Sequence, residues 1–170
     1  TPLNLQRALH GIAQRMDTAE DIVFIHLTSH GAKDGQLSAA FDPLAVEPLT
    51  PALLKAALDE AGIRHRILSV SACYSGSWIA PLQDEHSLVM TAADAEHTSY
   101  GCGAKSELTF FGRALFDEAL RRDTLDFEAA HTQARKVIEQ REKAAGKDDG
   151  YSNPQISMGR ALRDKLRSLQ

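Results

Sequence analysis

This chain has little sulfur, no long apolar run and no excess of positive charge. Two cysteines in 170 residues, Cys73 and Cys102, are too few for a disulfide scaffold or a structural zinc site. No pair of histidines has metal-site spacing, so neither a metal nor any other cofactor is expected. No stretch approaches the roughly 20 apolar residues of a membrane span. Nineteen Lys and Arg against 23 Asp and Glu give a net charge of −4, which offers nucleic acid no basic surface. Phosphate-loop, Gly-x-Gly-x-x-Gly and Gly-x-Ser-x-Gly patterns do not occur, although Ser75 and Ser77 sit among small residues. The chain opens Thr1-Pro2-Leu3, without an initiator methionine or a basic-then-apolar leader. It reads as a fragment, which leaves the compartment open: cytoplasmic, or periplasmic or secretory if an upstream signal or anchor was removed.

What is present fits one domain over residues 1–170, with 43% hydrophobic and 25% charged residues. Thr1-Pro2 predicts an N-cap and first turn, followed by Leu5, Ala8, Leu9, Ile12 and Met16 at helical spacing. Ile22–Thr28 predicts a buried strand. A loop-rich stretch follows from Gly31 to Pro48, with a turn at Lys33-Asp34-Gly35 and a short hairpin through Leu37–Phe41. Thr50-Pro51 opens a second helix, and Gly62 is its C′ residue. Ile67–Ser71 and Ser87–Thr91 are further strands. Small residues fill Ala92–Ser106. A helix then carries Leu108, Phe111, Leu115 and Ala119 on one face, and another runs from Asp126 to Lys143. Lys143–Asn153 reads as a charged mobile loop, Gln155–Met158 as an edge strand and Arg160–Leu169 as a terminal helix. Strands alternating with helices predict a mostly parallel sheet with helices on both faces. Because the chain opens on a helix, a strand that would normally precede it is expected to be missing.

Two segments carry the chemistry. Ile22 to Gly31 is an apolar run that ends in Ser29-His30-Gly31. Arg66 to Gly76 is another that ends in Ala72-Cys73-Tyr74-Ser75-Gly76. The carboxyl ends of parallel strands are where reactive groups collect. A thiol needs a base to become a nucleophile, and histidine commonly serves. Free cysteine is often only a small buried hydrophobe; its pairing with a strand-end histidine favours a His30/Cys73 dyad. Cys102, in Tyr100-Gly101-Cys102-Gly103, is the rival nucleophile but ends no apolar strand. His26 reads as a hydrogen-bonded structural residue in mid-strand. His10, His65, His86 and His131 read as solvated, and His97 as lining a cleft.

Ser29-His30-Gly31 and Ala72-Cys73-x-Ser-Gly, each closing an apolar strand, resemble the legumain-like cysteine peptidases of the caspase-like clan. Val89-Met90-Thr91-Ala92-Ala93, then Glu96-x-Thr98-Ser99-Tyr100-Gly101-Cys102, resembles that family's third strand and pocket loop. The resemblance covers nearly the whole chain and is to a bacterial-type member lacking its N-terminal strand. It implies a caspase-like three-layer α/β sandwich and a cysteine endopeptidase acting on peptides or proteins through an acyl-enzyme thioester. By the same resemblance, His30 and Cys73 are catalytic and the amides of Gly31 and Cys73 form the oxyanion hole. Ser71, Thr98 and Ser99 line the substrate pocket, and Arg113 stands where the family has an acid. Ser71 likewise replaces an acid two residues before the nucleophile, so a strong preference for asparagine is not expected. Two other classes stay open: a non-catalytic peptide-binding module of this fold, and a transamidase. The physiological substrate, the oligomeric state and any activation by processing are not legible.

Overall fold

The computed structural model describes residues 1–101, 106–120 and 125–170, so Cys102 lies outside the described residues. Its elements in chain order are α1 (Pro2–Ala13), β1 (Ile22–Thr28), α2 (Pro51–Glu60), β2 (His65–Ser71), α3 (Ile79–Leu82), β3 (Ser87–Thr91), α4 (Phe110–Gly112), α5 (Phe127–Ala144), β4 (Gln155–Met158) and α6 (Arg160–Ser168). A π-helical turn, Arg113–Ala119, continues α4. The four strands form one sheet in the order β1-β2-β3-β4, parallel except for antiparallel β4. Leu9, Leu54, Leu58, Trp78 and Leu82 pack with Val23, Leu68, Val70 and Val89 on one face of the sheet. Phe111, Leu115, Phe127, Ile138 and Leu162 pack with Ile67, Leu88 and Met90 on the other. The architecture is a three-layer α/β sandwich.

Local chemistry sets the boundaries. Thr1, Thr50, Thr109 and Asp126 cap α1, α2, α4 and α5 by accepting from backbone amides three residues on. Gly62 follows α2 with a φ of +69°, the left-handed geometry a C′ glycine tolerates. Every residue of β2 and β3 is buried, as expected of a parallel strand covered on both faces.

Four expectations need correction. β1 is not wholly buried: it is an edge strand whose Phe24, His26 and Thr28 face remains open, with Phe24 44% exposed. The helical layer on that face covers β2 and β3 and reaches β1 mainly through Phe116. Leu37–Phe41 forms no hairpin. Leu37 bridges Gly31 and Leu49, while Phe41 bridges Leu44. Leu108 precedes the helix that Thr109 caps and is exposed. His65 and His131 are buried, not solvated: His65 opens β2, and His131 lies on the inner face of α5.

Candidate active site

The register of β1 on β2 aligns the two strand ends. Thr28 pairs with Ser71, and the Ser29 amide donates to the Ser71 carbonyl at 3.3 Å. Two residues further along each strand stand His30 and Cys73. The backbones are in direct contact there: a Cβ on Gly31 would lie 2.2 Å from the Cys73 carbonyl oxygen. Only glycine fits at that approach. Among the described residues, neither the Gly31 nor the Cys73 amide donates to another group.

The chain turns sharply after Cys73. Tyr74 adopts a left-handed conformation at φ 56°, and Ser75–Trp78 winds into a 3₁₀ turn. A non-glycine residue in that region signals a constraint imposed by its surroundings. Here the constraint comes from residues 94–99. The Tyr74 amide donates to the His97 carbonyl at 2.9 Å, so it is engaged in holding the turn. Gly76 allows the loop to lie flat against the turn, since a Cβ there would meet the Asp94 and Ala95 backbone at 2.6 Å. The half-buried Cys73 sulfur accepts from the Ser99 amide at 3.3 Å. The sulfur also lies 3.7 Å from the Ser99 carbonyl, so residue 99 holds it on both sides.

A cleft of about 620 Å³ opens beside His30 on the uncovered face of β1. His26, Thr28 and His30 form its floor, being alternate residues of one strand face. Thr109, Gly112 and Phe116 form a wall, and Glu107 and Asp117 also line it. Phe116 and Asp117 belong to the π-helical turn, a distortion often found at functional sites. The His26 ring hydrogen-bonds Ser69 at 3.1 Å and meets the Phe116 ring edge-on. Burial pushes its pKa below the usual imidazole value.

The four pocket residues read from the sequence are dispersed. Ser71 is buried and shares a 2.8 Å hydrogen bond with the Thr109 hydroxyl, so it braces the cleft wall from behind. Ser99 sits on the Cys73 sulfur. Thr98 donates both its amide and its hydroxyl to Asp149. Arg113 is half-exposed beside Glu107, 3.7 Å away, and lines a neighbouring groove. His97 hydrogen-bonds Asp94 instead of facing the cleft beside His30.

Several contributors escape a reading of the sequence. Thr28 and His26 were within reach, because counting back by twos from His30 gives the same strand face. Asp149 had no such signal: it lies 51 residues from Thr98. Desolvation works to raise the Asp149 carboxyl, and hydrogen bonds from Lys147 and Thr98 outweigh it, holding the group below the carboxylate range. The segment read as a mobile loop is therefore tied to the site through Asp149 and Asn153.

The family model for the peptidase C13 family matches residues 6–160. No curated protein matches the chain. No helix among the described residues is long and apolar enough to cross a membrane.

Proposed function

The chain belongs to the peptidase C13 family, the legumain family of cysteine peptidases, and from that we propose that Cys73 and His30 form the dyad of a cysteine endopeptidase. Membership itself gives a cysteine-type peptidase function and peptide or protein substrates. The observation that carries the finer reading is the strand register, which aligns Thr28 with Ser71 and so brings the His30 and Cys73 strand ends level.

In this mechanism the Cys73 thiolate attacks the carbonyl carbon of the scissile peptide and forms a C–S bond. The amides of Gly31 and Cys73 donate to the developing oxyanion, a role their lack of other acceptors among the described residues supports. His30 gives its proton to the departing amine as the C–N bond breaks, leaving a thioester. Water loses a proton to His30 and attacks the thioester. The C–S bond then breaks, the Cys73 sulfur is regenerated as the thiolate, and the acid product leaves. The sulfur's hydrogen bonds are to Ser99, and the His30 ring is not among its partners in the described residues. His30 therefore acts when substrate lies between the two groups, a contact that unliganded structures need not contain.

The side chain before the scissile bond occupies the cleft of about 620 Å³ beside His30. Arg113 lies outside it and the hydroxyls of Ser71 and Thr98 are bonded elsewhere, so none of these three is committed to the substrate side chain, while Glu107 and Asp117 give the cleft an acidic lining. Strong discrimination depends on committed hydrogen-bonding groups, so no sharp preference for asparagine is expected, and an acidic side chain is disfavoured. Cys73→Ala and His30→Ala test the dyad. Each should lower kcat/KM on a peptide library by about 10³ or more, because such groups act as a unit. Wild-type turnover in either variant would refute the assignment.

A further inference from the structure

The segment that touches Cys73 is held by two carboxylates, Asp149 through Thr98 and Asp94 through the residues before it. Asp94 Oδ1 accepts from the Glu96 amide at 2.9 Å, the His97 amide at 3.0 Å and His97 Nδ1 at 2.8 Å. Asp94 Oδ2 accepts from Asn153 Nδ2 at 3.0 Å and lies 3.0 Å from His97 Nδ1. The Asp94 amide donates to the Ser152 carbonyl at 2.8 Å. Asn153 is itself held by Arg135, at 2.7 Å, in a left-handed conformation at φ 54°. The carboxylate therefore fixes residue 97 from two sides and anchors it to the strap that precedes β4. From that fixed point the His97 carbonyl takes the Tyr74 amide, and two residues later the Ser99 amide reaches the Cys73 sulfur.

We propose that Asp94 is a positioning residue for the Cys73 nucleophile: it holds the 94–99 loop so that the Ser99 amide stays on the sulfur and Tyr74 stays in its strained turn. Its catalytic consequence rests on Cys73 being the nucleophile; its effect on the thiol does not. Asp94 touches neither the sulfur nor the cleft beside His30. It acts through loop geometry, with Gly76 as the contact that makes that geometry close. Without the carboxylate, the Glu96 and His97 amides lose their acceptor, the loop keeps the Thr98 bonds to Asp149 as its tether, and the Ser99 amide shifts off the sulfur. The sulfur then loses the Ser99 amide that donates to it.

The test is the pH profile of iodoacetamide alkylation at Cys73, measured by peptide mapping in a Cys102→Ser background so that one thiol reports. Asp94→Ala should slow alkylation at neutral pH by roughly tenfold and displace the profile to higher pH, the effect of losing one hydrogen bond to a charged acceptor. Asp94→Asn keeps an oxygen for the two amides but sets an NH2 against Asn153 Nδ2, so it should fall between wild type and Asp94→Ala. If Asp94→Ala does not fold, Asp94→Ser, whose hydroxyl can cap one amide, should show an intermediate displacement. A wild-type profile in Asp94→Ala, or in Asp94→Ser if that is the variant that folds, overturns the proposal. A displacement in Asp94→Asn as large as in Asp94→Ala also overturns it, because acceptor geometry would then not be the cause. Peptide turnover retained by Cys73→Ala would refute the nucleophile assignment and leave the alkylation result standing.

Discussion

Replacing His131 with leucine should remove a large part of this protein's acid sensitivity. His131 is 1% exposed on the inner face of α5, and its Nε2 has no hydrogen-bond partner among the described residues. Burial first, with the charge of Arg135 adding to it, pushes its pKa from 6.5 down to about 4; contact with the Gln155 backbone opposes the shift. The depressed folded value means that the unfolded chain binds the proton more tightly. Stability is therefore fully present above the unfolded pKa and is lost as pH falls through the window from 6.5 to about 4. Linkage gives a loss of about 2 kcal/mol between pH 7 and 5, approaching 3 kcal/mol by pH 4. Urea unfolding at a series of pH values measures this directly. Wild type should lose that increment over the acid range and His131→Leu should not, whatever offset the substitution introduces at neutral pH. The carboxylates that titrate in acid are common to both proteins and cancel in the difference. Parallel stability curves for the two proteins would refute the buried, neutral state of His131.

Gly76→Ala should cost about 2 kcal/mol in urea unfolding and abolish turnover, since its Cβ meets backbone that cannot give way. Wild-type activity in that variant would contradict the tight seating of the 94–99 loop. Arg113→Ala should leave the substrate profile in a positional-scanning library unchanged, because Arg113 lines the groove beyond the cleft. A new preference for basic residues would put the guanidinium in the pocket. Thr98→Ala should cost about 1 kcal/mol by deleting its hydroxyl bond to Asp149, with no change in the ranking of library substrates. A changed ranking would return Thr98 to the pocket wall.

The readable parts of this protein are those fixed by local chemistry. The strand ends at Thr28 and Ser71, two residues before His30 and Cys73, the caps at Thr50 and Asp126 and the glycine after α2 all follow from residues within a few positions of one another. What eluded the sequence depends on distant partners or on which face is covered. β1 has the composition of a buried strand, but its place at the edge of the sheet exposes alternate residues, and that exposure forms the floor of the cleft. His131 shares the inner face of α5 with Phe127, Ala130, Ala134 and Ile138, so its position announced burial while its polarity argued for solvent. Ser71 and Thr98 had the right composition for a pocket, yet their hydroxyls go to Thr109 and Asp149, 38 and 51 residues away. The bonds from Asn153 and Ser152 to Asp94 are likewise long-range. Asp94 left only a local trace, an aspartate whose carboxylate caps the amides two and three residues ahead.

The central claim is that substrate becomes covalently attached to Cys73. Rapid acid quenching of the protein with an activated peptide ester, followed by intact mass measurement and peptide mapping, tests it most directly. A mass increase equal to the acyl portion of the ester should appear, mapped to Cys73 and lost in Cys73→Ala. An acyl adduct mapped to Cys102, or undiminished turnover in Cys73→Ala, would contradict it.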